Sequence, residues 1–317
     1  MTSNRWNLAT PDHPVVRELA LRMREGSEGS SASKLGLVVE GGGMRGVISG
    51  GALVALEEYG LTAIFDEVHA ESAGAMNACY FLAGQAALGG RIYTEDLTGR
   101  RFVRPWRLNK ILDIDFLTDE VMASVKRLDC GRVERSRTKL LVSVTNAGDG
   151  SSRIIQVGRC RAPLLRILKA TAAIIPLFNY PVELDGGMYV DGGIADPIPV
   201  RNAIASGCTH ILVLLTRPLE FEAAPLRGLP AVVARVLLGR KWDPRLISAF
   251  FQVRHRRYNE SRALAFGITD PGSRVEIAII CPDGGTPAVT RMSRSVTRLN
   301  GAMAWGKDRV RELLGKA

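Results

Sequence analysis

The sequence predicts a doubly wound α/β fold, a mainly parallel sheet with helices on both faces. Short, wholly apolar runs are followed at once by glycines, as Leu35–Val39 is by Gly41 to Gly43. Those runs alternate with helical patterns, the order that builds parallel sheets. The composition permits a large core: 317 residues are 46% hydrophobic and 23% charged, which excludes intrinsic disorder over most of the chain. The 33 glycines show no period and five cysteines are sparse, so collagen-like and disulfide-scaffold folds are excluded as well.

Taken in order, Val15, Val16, Leu19, Leu21 and Met23 predict a short amphipathic helix, and Gly26 to Ser33 a flexible linker. The apolar run 35–39 is a buried strand. Residues 47–59 form a helix closed by Gly60, 66–70 a second strand, and 73–84 a helix of small residues that can pack closely. The stretch 90–139 lacks a clear period and reads as helices and loops over one sheet edge. Strands follow at 140–146 and 153–157, then a helix over 162–173. Val182 to Val190 reads as a hairpin with Asp185 in its turn. A buried strand follows at 210–215, another at 274–281, and a closing helix over 295–315. Three regions are expected: 1–34, a helix and linker; 35–217, the main α/β unit; and 218–317, a basic extension packed on the core.

Forty-two Lys and Arg against 32 Asp and Glu give a net charge of +10, which favours anionic partners. Aromatic residues are only 6%, and no zinc spacing or basic-aromatic interleaving is present, so no nucleic-acid partner is expected. Between Arg217 and Arg262, ten Lys or Arg face four Asp or Glu. That segment reads as a lid, a membrane-surface face, or a basic solvated face on packed helices. No leader pattern is seen at the N-terminus and no apolar run is long enough to span a bilayer. Residence in the cytoplasm is expected, with peripheral contact at an anionic inner membrane surface.

Three motifs carry chemistry. Gly41 to Gly46, GGGMRG, lies between a strand and a helix, where backbone amides and the helix dipole gather an anion or an oxyanion. Gly41, Gly43 and Gly46 also match a dinucleotide fingerprint, with Glu71 as the acidic partner of a ribose. The second motif, AESAG, puts Ser72 at a strand-to-helix turn, the placement of a nucleophile elbow. Taken alone, a serine there also reads as a helix N-cap. None of His13, His69, His210 and His255 holds an obvious triad position. The third motif is YVDGGIADPIPV, with Asp191 at a strand end; Asp196 before Pro197 reads as a helix N-cap.

These motifs in this order, with the flanks LVVEGGGMRG, ESAGAMNA, KATAAIIPLF and YVDGGIADPIPV, resemble the patatin-like phospholipase family from about Leu35 to Arg217. The resemblance implies a three-layer α/β/α fold and a serine–aspartate dyad in place of a triad. Ser72 would be the nucleophile and Asp191 its base. Gly42, Gly43 and Met44 would offer oxyanion amides together with Ala73, and Arg45 would stand beside the hole. The implied reaction is acyl ester hydrolysis through an acyl-enzyme, on phospholipid, lysophospholipid or related esters, with no metal or organic cofactor. A broad esterase or thioesterase, and a weakened lipid-binding relative, are the alternatives. Tyr80, Phe81, Phe178 and Tyr180 are candidate walls of an acyl pocket. Ala70 stands where the family has glycine, and Glu71 where it has a small polar residue. Repulsion from Glu71 is expected to raise the pKa of Asp191 and lower activity in acid.

Overall fold

The computed structural model describes residues 7–25, 33–239, 241–267 and 275–315; the linker expected at 26–33 lies outside them except for Ser33. The order begins α1 (Pro14–Glu25), β1 (Leu35–Val39), α2 (Val47–Glu58), β2 (Glu67–Ala70), α3 (Ser72–Leu82) and α4 (Ala86–Glu95). A π-helical segment, Phe116–Val125, and α5 (Cys130–Glu134) lead into β3 (Lys139–Asn146) and β4 (Ser152–Gln156). Next come α6 (Leu164–Thr171), β5 (Val182–Leu184), β6 (Gly187–Val190), α7 (Val200–Ala205) and β7 (His210–Leu214). The chain continues through α8 (Gly228–Leu238), α9 (Pro244–Ser248), α10 (Arg254–Ala265), β8 (Glu276–Ile280) and α11 (Val296–Leu314).

The sheet runs β5-β6-β3-β2-β1-β7-β8, with β4 also paired to β3. The five strands from β3 to β8 are parallel to one another; β4, β5 and β6 run antiparallel to their neighbours. The period-2 geometry of a strand divides the apolar residues between two layers. Leu35, Leu37 and Val39 join Leu212, Leu214, Ala278 and Ile280 in one core cluster, while Val38 joins Ile211, Val213, Ile277 and Ile279 in the other. Burial on both faces explains why these strands read as continuous apolar runs. The result is a three-layer α/β/α arrangement.

Residues beyond 217 supply part of the sheet itself, because β8 pairs with β7. α11 lies along α2, and the approach is close: a Cβ on Gly51 would sit 2.1 Å from the Met303 carbonyl oxygen, and one on Gly306 would sit 2.2 Å from that of Ile48. α1 is fixed by Arg22, whose guanidinium reaches Glu18, Asp66 and the Ile64 carbonyl at 2.6–3.0 Å.

The hairpin turn forms at Asp185 and Gly186, with φ of 48° and 80°, as a two-residue turn with both residues left-handed requires. Asp196 does not cap a helix, because α7 begins only at Val200 after Pro199. Its Oδ2 instead accepts bonds from Ser143 Oγ at 2.6 Å and Asn202 Nδ2 at 2.5 Å. A buried hydroxyl from β3 competes for that carboxylate, and local sequence does not reveal it.

Candidate active site

Ser72 opens α3 directly after β2, with φ of 51°. A non-glycine residue in that left-handed region is strained, and such strain persists only where the surroundings hold it. Two contacts do so. The Ser72 amide donates to Thr171 Oγ1 at 2.8 Å, and that hydroxyl donates to the Ser143 carbonyl at 2.7 Å. Gly74 lets the first turn of α3 lie against the end of β1, since a Cβ there would stand 2.4 Å from the Val39 carbonyl oxygen. The turn thus lifts the Ser72 side chain to the C-terminal edge of the parallel strands, where open α/β sheets gather their ligands. Ala70 is wholly buried at the end of β2.

The glycine loop leaves β1 beside it. Gly42 and Gly43 have φ of 153° and 60° before a 3₁₀ turn over Gly43–Gly46. Their amides have no acceptor among the described residues. The Gly41 amide donates to Glu71 Oε1 at 2.7 Å. The Met44 amide donates to the Arg291 carbonyl at 3.1 Å, and that of Arg45 to Gly42 at 3.3 Å within the turn. Of the amides named from the sequence, those of Gly42, Gly43 and Ala73 therefore remain available, the last in the first turn of α3. Glu71 spends one carboxyl oxygen inside this loop, which removes it from the ribose-binding role of a dinucleotide fold.

Asp191 ends β6. Its amide donates to the Ala173 carbonyl at 3.1 Å, its own carbonyl accepts from Thr145 Oγ1 at 2.8 Å, and Oδ1 accepts from the Gly193 amide at 3.0 Å. The buried Oδ2 has no formed hydrogen bond. Burial raises the Asp191 pKa; Arg291, the Ser72 hydroxyl, the Gly193 amide and Arg254 oppose that rise. Glu71 is held well above the usual carboxylate range, first by burial and then by the charge of Asp191. The rise at Asp191 thus comes from burial, and the like-charge repulsion expected from sequence appears instead at Glu71, whose carboxyl is pushed up by burial and by Asp191.

Two cavities meet at Ser72. One is apolar, walled by Met76, Tyr80, Leu97, Phe102, Ile114 and Leu117 among others. The second is polar and holds Asp191, Arg45, Arg217, Arg254 and Arg291. Gly43 and Ser72 face both. Of the four aromatic residues named as pocket walls, Tyr80 alone lines the apolar cavity. Phe81 packs edge-on against Phe65, and Phe178 against Tyr180, which is itself half-exposed under Lys241. The true walls come largely from the stretch between 90 and 139, where periodicity gives no signal. His255 lines the polar cavity, and His69 is turned away onto Glu67 at 3.2 Å.

Among the described residues, the side chains of Glu67, His69 and Cys208 bring three metal-capable atoms within 4.8 Å of one another. Lys34 Nζ stands 2.8 Å and Lys139 Nζ 3.4 Å from Glu67. Two ammonium groups on the one carboxylate suit a paired buried charge rather than a cation site. No helix among the described residues is long and apolar enough to cross a membrane.

Known proteins are similar to this chain in sequence or in fold. YjjU, an uncharacterised protein of Escherichia coli, is 27% identical over 199 residues, covering 61% of this chain and 54% of YjjU. An uncharacterised NTE-family protein of Mycobacterium bovis is 29% identical over 241 residues, covering 74% of this chain and 61% of its own. The chain thus spans little more than half the length of these curated relatives. VipD from Legionella pneumophila shares the fold, with a TM-score of 0.52 at 15% identity, over 91% of this chain and 67% of that one. The family model described as patatin-like phospholipase matches residues 37–204, more than half of the chain, running from within β1 through the glycine loop and the Ser72 elbow to beyond Asp191. By that match, the chain belongs to the patatin-like phospholipase family.

Proposed function

We propose that this chain is a serine lipid acyl hydrolase of the phospholipase or lysophospholipase type, acting through Ser72 and Asp191. One observation carries the reading: the strained Ser72 opens onto an apolar cavity on one side and, on the other, onto the cavity that holds the unpaired carboxylate oxygen of Asp191. An acyl ester has the matching polarity, a chain on one side of its carbonyl and a polar alcohol on the other. A relative, lysophospholipase NTE1 of Debaryomyces hansenii, is 23% identical over 225 residues, which cover 68% of this chain and 14% of that protein; the activity in that protein's name agrees with the reading.

In the first half-reaction, Asp191 takes the Ser72 proton as Oγ attacks the acyl carbonyl carbon. The carbonyl oxygen gains the negative charge and is met by the amides of Gly42, Gly43 and Ala73. The carbon–oxygen bond to the alcohol breaks and Asp191 returns the proton to that alcohol. In the second, Asp191 takes a proton from water, the hydroxide adds to the acyl-enzyme, and fatty acid leaves as Ser72 is re-protonated. Glu71 supports the site by holding the Gly41 amide, and so the glycine loop, at fixed distance from the elbow.

The same reading gives α8 a role at a lipid surface. Its buried side, Ala231, Ala234 and Leu238, packs with Ile175, Ile194 and Phe250 behind the site. Its outer side exposes Leu229 at 75%, Val232 at 53% and Val236 at 74%. A helix with apolar residues outward and the exposed Arg227 at its start suits an anionic membrane face.

Purified protein is incubated with p-nitrophenyl butyrate and a short-chain phospholipid beside Ser72→Ala and Asp191→Asn. Both variants are expected to lose roughly 10⁴-fold or more in rate. Equal turnover by parent and Ser72→Ala would overturn the reading.

A further inference from the structure

The polar cavity beside Ser72 has a charge problem. Arg45, Arg217, Arg254 and Arg291 all line it, yet none makes an ion pair or a side-chain hydrogen bond with a described residue. Arg45 is 94% buried by its 6% exposure, and its Nε has no partner. Arg217 and Arg254 lie only over aromatic faces, Phe221 at 4.0 Å and Phe250 at 4.9 Å. Burial, with Arg291 and Arg217 next, pushes the Arg45 pKa down to about 9. Guanidinium groups stay charged in proteins and seek bidentate oxygen acceptors, so four of them facing one space without partners ask for an anion.

The number of charges can be counted. The acids that face the cavity are Glu40, Glu71 and Asp191. Burial and the charge of Asp191 disfavour the ionised form of Glu71. Glu40 accepts from Tyr258 Oη at 2.9 Å and from the Thr216 amide at 2.5 Å, so its oxygens are engaged with neutral donors. Four guanidinium groups against three acids leave a positive surplus of at least one (4 − 3) even with every acid ionised. The cavity measures about 180 Å³, well above the roughly 10–15 Å³ that holds a single water, which admits a phosphate with some of its water.

We infer that this cavity is a phosphate subsite, built by Arg45, Arg217, Arg254 and Arg291, for an acyl ester whose leaving alcohol carries a dianionic phosphate monoester. Three of the four arginines lie beyond residue 204, outside the stretch shared with the family model; the subsite is therefore a property of this chain's C-terminal third rather than of the shared catalytic frame. Arg–phosphate pairing is bidentate and strong where water is excluded. A zwitterionic choline headgroup would bring its own cation into an already positive space, and a neutral glycerol would leave the arginines unpaired. The inference rests on the proposed hydrolase reading for its substrate, but not for its anion.

The test has two arms. In the first, thermal unfolding of the full chain is followed with glycerol 3-phosphate, inorganic phosphate, phosphocholine and glycerol. A ligand that binds only the folded state raises Tm with its concentration. A rise with glycerol 3-phosphate that exceeds the rise with inorganic phosphate, is absent with glycerol, and is reduced in Arg217→Gln is expected. A larger response to inorganic phosphate alone would assign the cavity to free phosphate and overturn the lipid-headgroup source. An unchanged response in Arg217→Gln would overturn the subsite. Arg217→Lys, which keeps the charge but loses the bidentate fork, is expected to fall between, and it controls for misfolding.

In the second arm, monoacylglycerol 3-phosphate, monoacylglycerol and monoacylglycerophosphocholine of one short chain length are compared as substrates. The phosphate monoester is expected to lead by about 10- to 100-fold in kcat/KM, in line with one or two charge-assisted contacts, with the lead shrinking in Arg217→Gln. Equal turnover of all three overturns the inference while leaving the hydrolase intact. A Tm response to glycerol 3-phosphate with no hydrolysis of any ester sustains the subsite and removes the hydrolase.

Discussion

The Thr171 hydroxyl holds the Ser72 amide at 2.8 Å and, through its own proton, the Ser143 carbonyl at 2.7 Å. One side chain from α6 thereby ties the strained elbow to β3. Thr171→Val preserves shape but leaves a buried donor and a buried acceptor unpaired, at a cost of about 1–3 kcal/mol for each such group. A lower Tm and a lower kcat on p-nitrophenyl butyrate are expected, with Thr171→Ser restoring both. A Val variant with unaltered kcat would show that the elbow is held without it.

The acid limb of the pH–rate profile belongs to Asp191, which must be ionised to act as base. Its pKa is raised by burial, against the opposing pull of Arg291, the Ser72 hydroxyl, the Gly193 amide and Arg254. Activity is therefore expected to fall off, as pH decreases, above the ordinary Asp value of about 3.9. Arg254→Gln removes one of the charges that restrains the rise, so the limb is expected to move to still higher pH. A limb that stays in place after that substitution would detach Arg254 from the base.

Glu71 is raised further than an ordinary glutamate, and that has a stability consequence. The folded chain holds this proton more tightly than the unfolded chain. The stability so contributed is fully present below the unfolded value, about 4.3, and is lost as pH rises toward the folded value. Glu71→Gln mimics the protonated carboxyl and has no proton to lose. Its Tm is expected to exceed that of the parent at pH 8 by more than at pH 4. Because burial, and not Glu71, raises the Asp191 pKa, the acid limb is expected to stay near its parental position. A downward move of about one unit would mean that Glu71 carried a charge.

Val232→Asp with Val236→Asp on the outer side of α8 places two charges where no core contact is made. Co-sedimentation with anionic vesicles is expected to fall at least about 10-fold, since each aspartate removes apolar burial and adds repulsion. Stability is expected to change by no more than about 0.5 kcal/mol per site, as for surface positions in general. Unchanged vesicle binding would move the membrane face elsewhere.

Gly306→Ala tests how closely α11 must lie on α2. A methyl group there meets the Ile48 carbonyl oxygen at 2.2 Å, and overpacking of this kind costs about 1–3 kcal/mol. Thermal melts are expected to show a drop, while an unshifted Tm would mean that the two helices can part freely.

Much of the fold was legible because the strands of the parallel sheet are buried on both faces. Leu35–Val39 and His210–Leu214 announce themselves as apolar runs, and Asp185–Gly186 announces its turn. The positions of Ser72 and Asp191 at strand ends were legible for the same reason. What was not legible depends on distant partners. Asp196 looked like a cap until Ser143, 53 residues away, was seen to claim it. The apolar cavity draws many of its walls from a stretch without a period, so of the four aromatic candidates nearer the motifs only Tyr80 lines it. The four arginines are spread from position 45 to 291, and a net charge of +10 does not say that they converge.

The bond from the Met44 amide to the Arg291 carbonyl has a practical meaning for anyone dividing this protein. It fastens the glycine loop to a segment nearly 250 residues downstream (291 − 44 = 247), reached only after the last strand of the sheet has been laid. A fragment cut to the limits of the family match, residues 37–204, lacks that fastening together with β7, β8 and α11. The smallest portion worth expressing, fusing or grafting onto another protein therefore runs through the final helix.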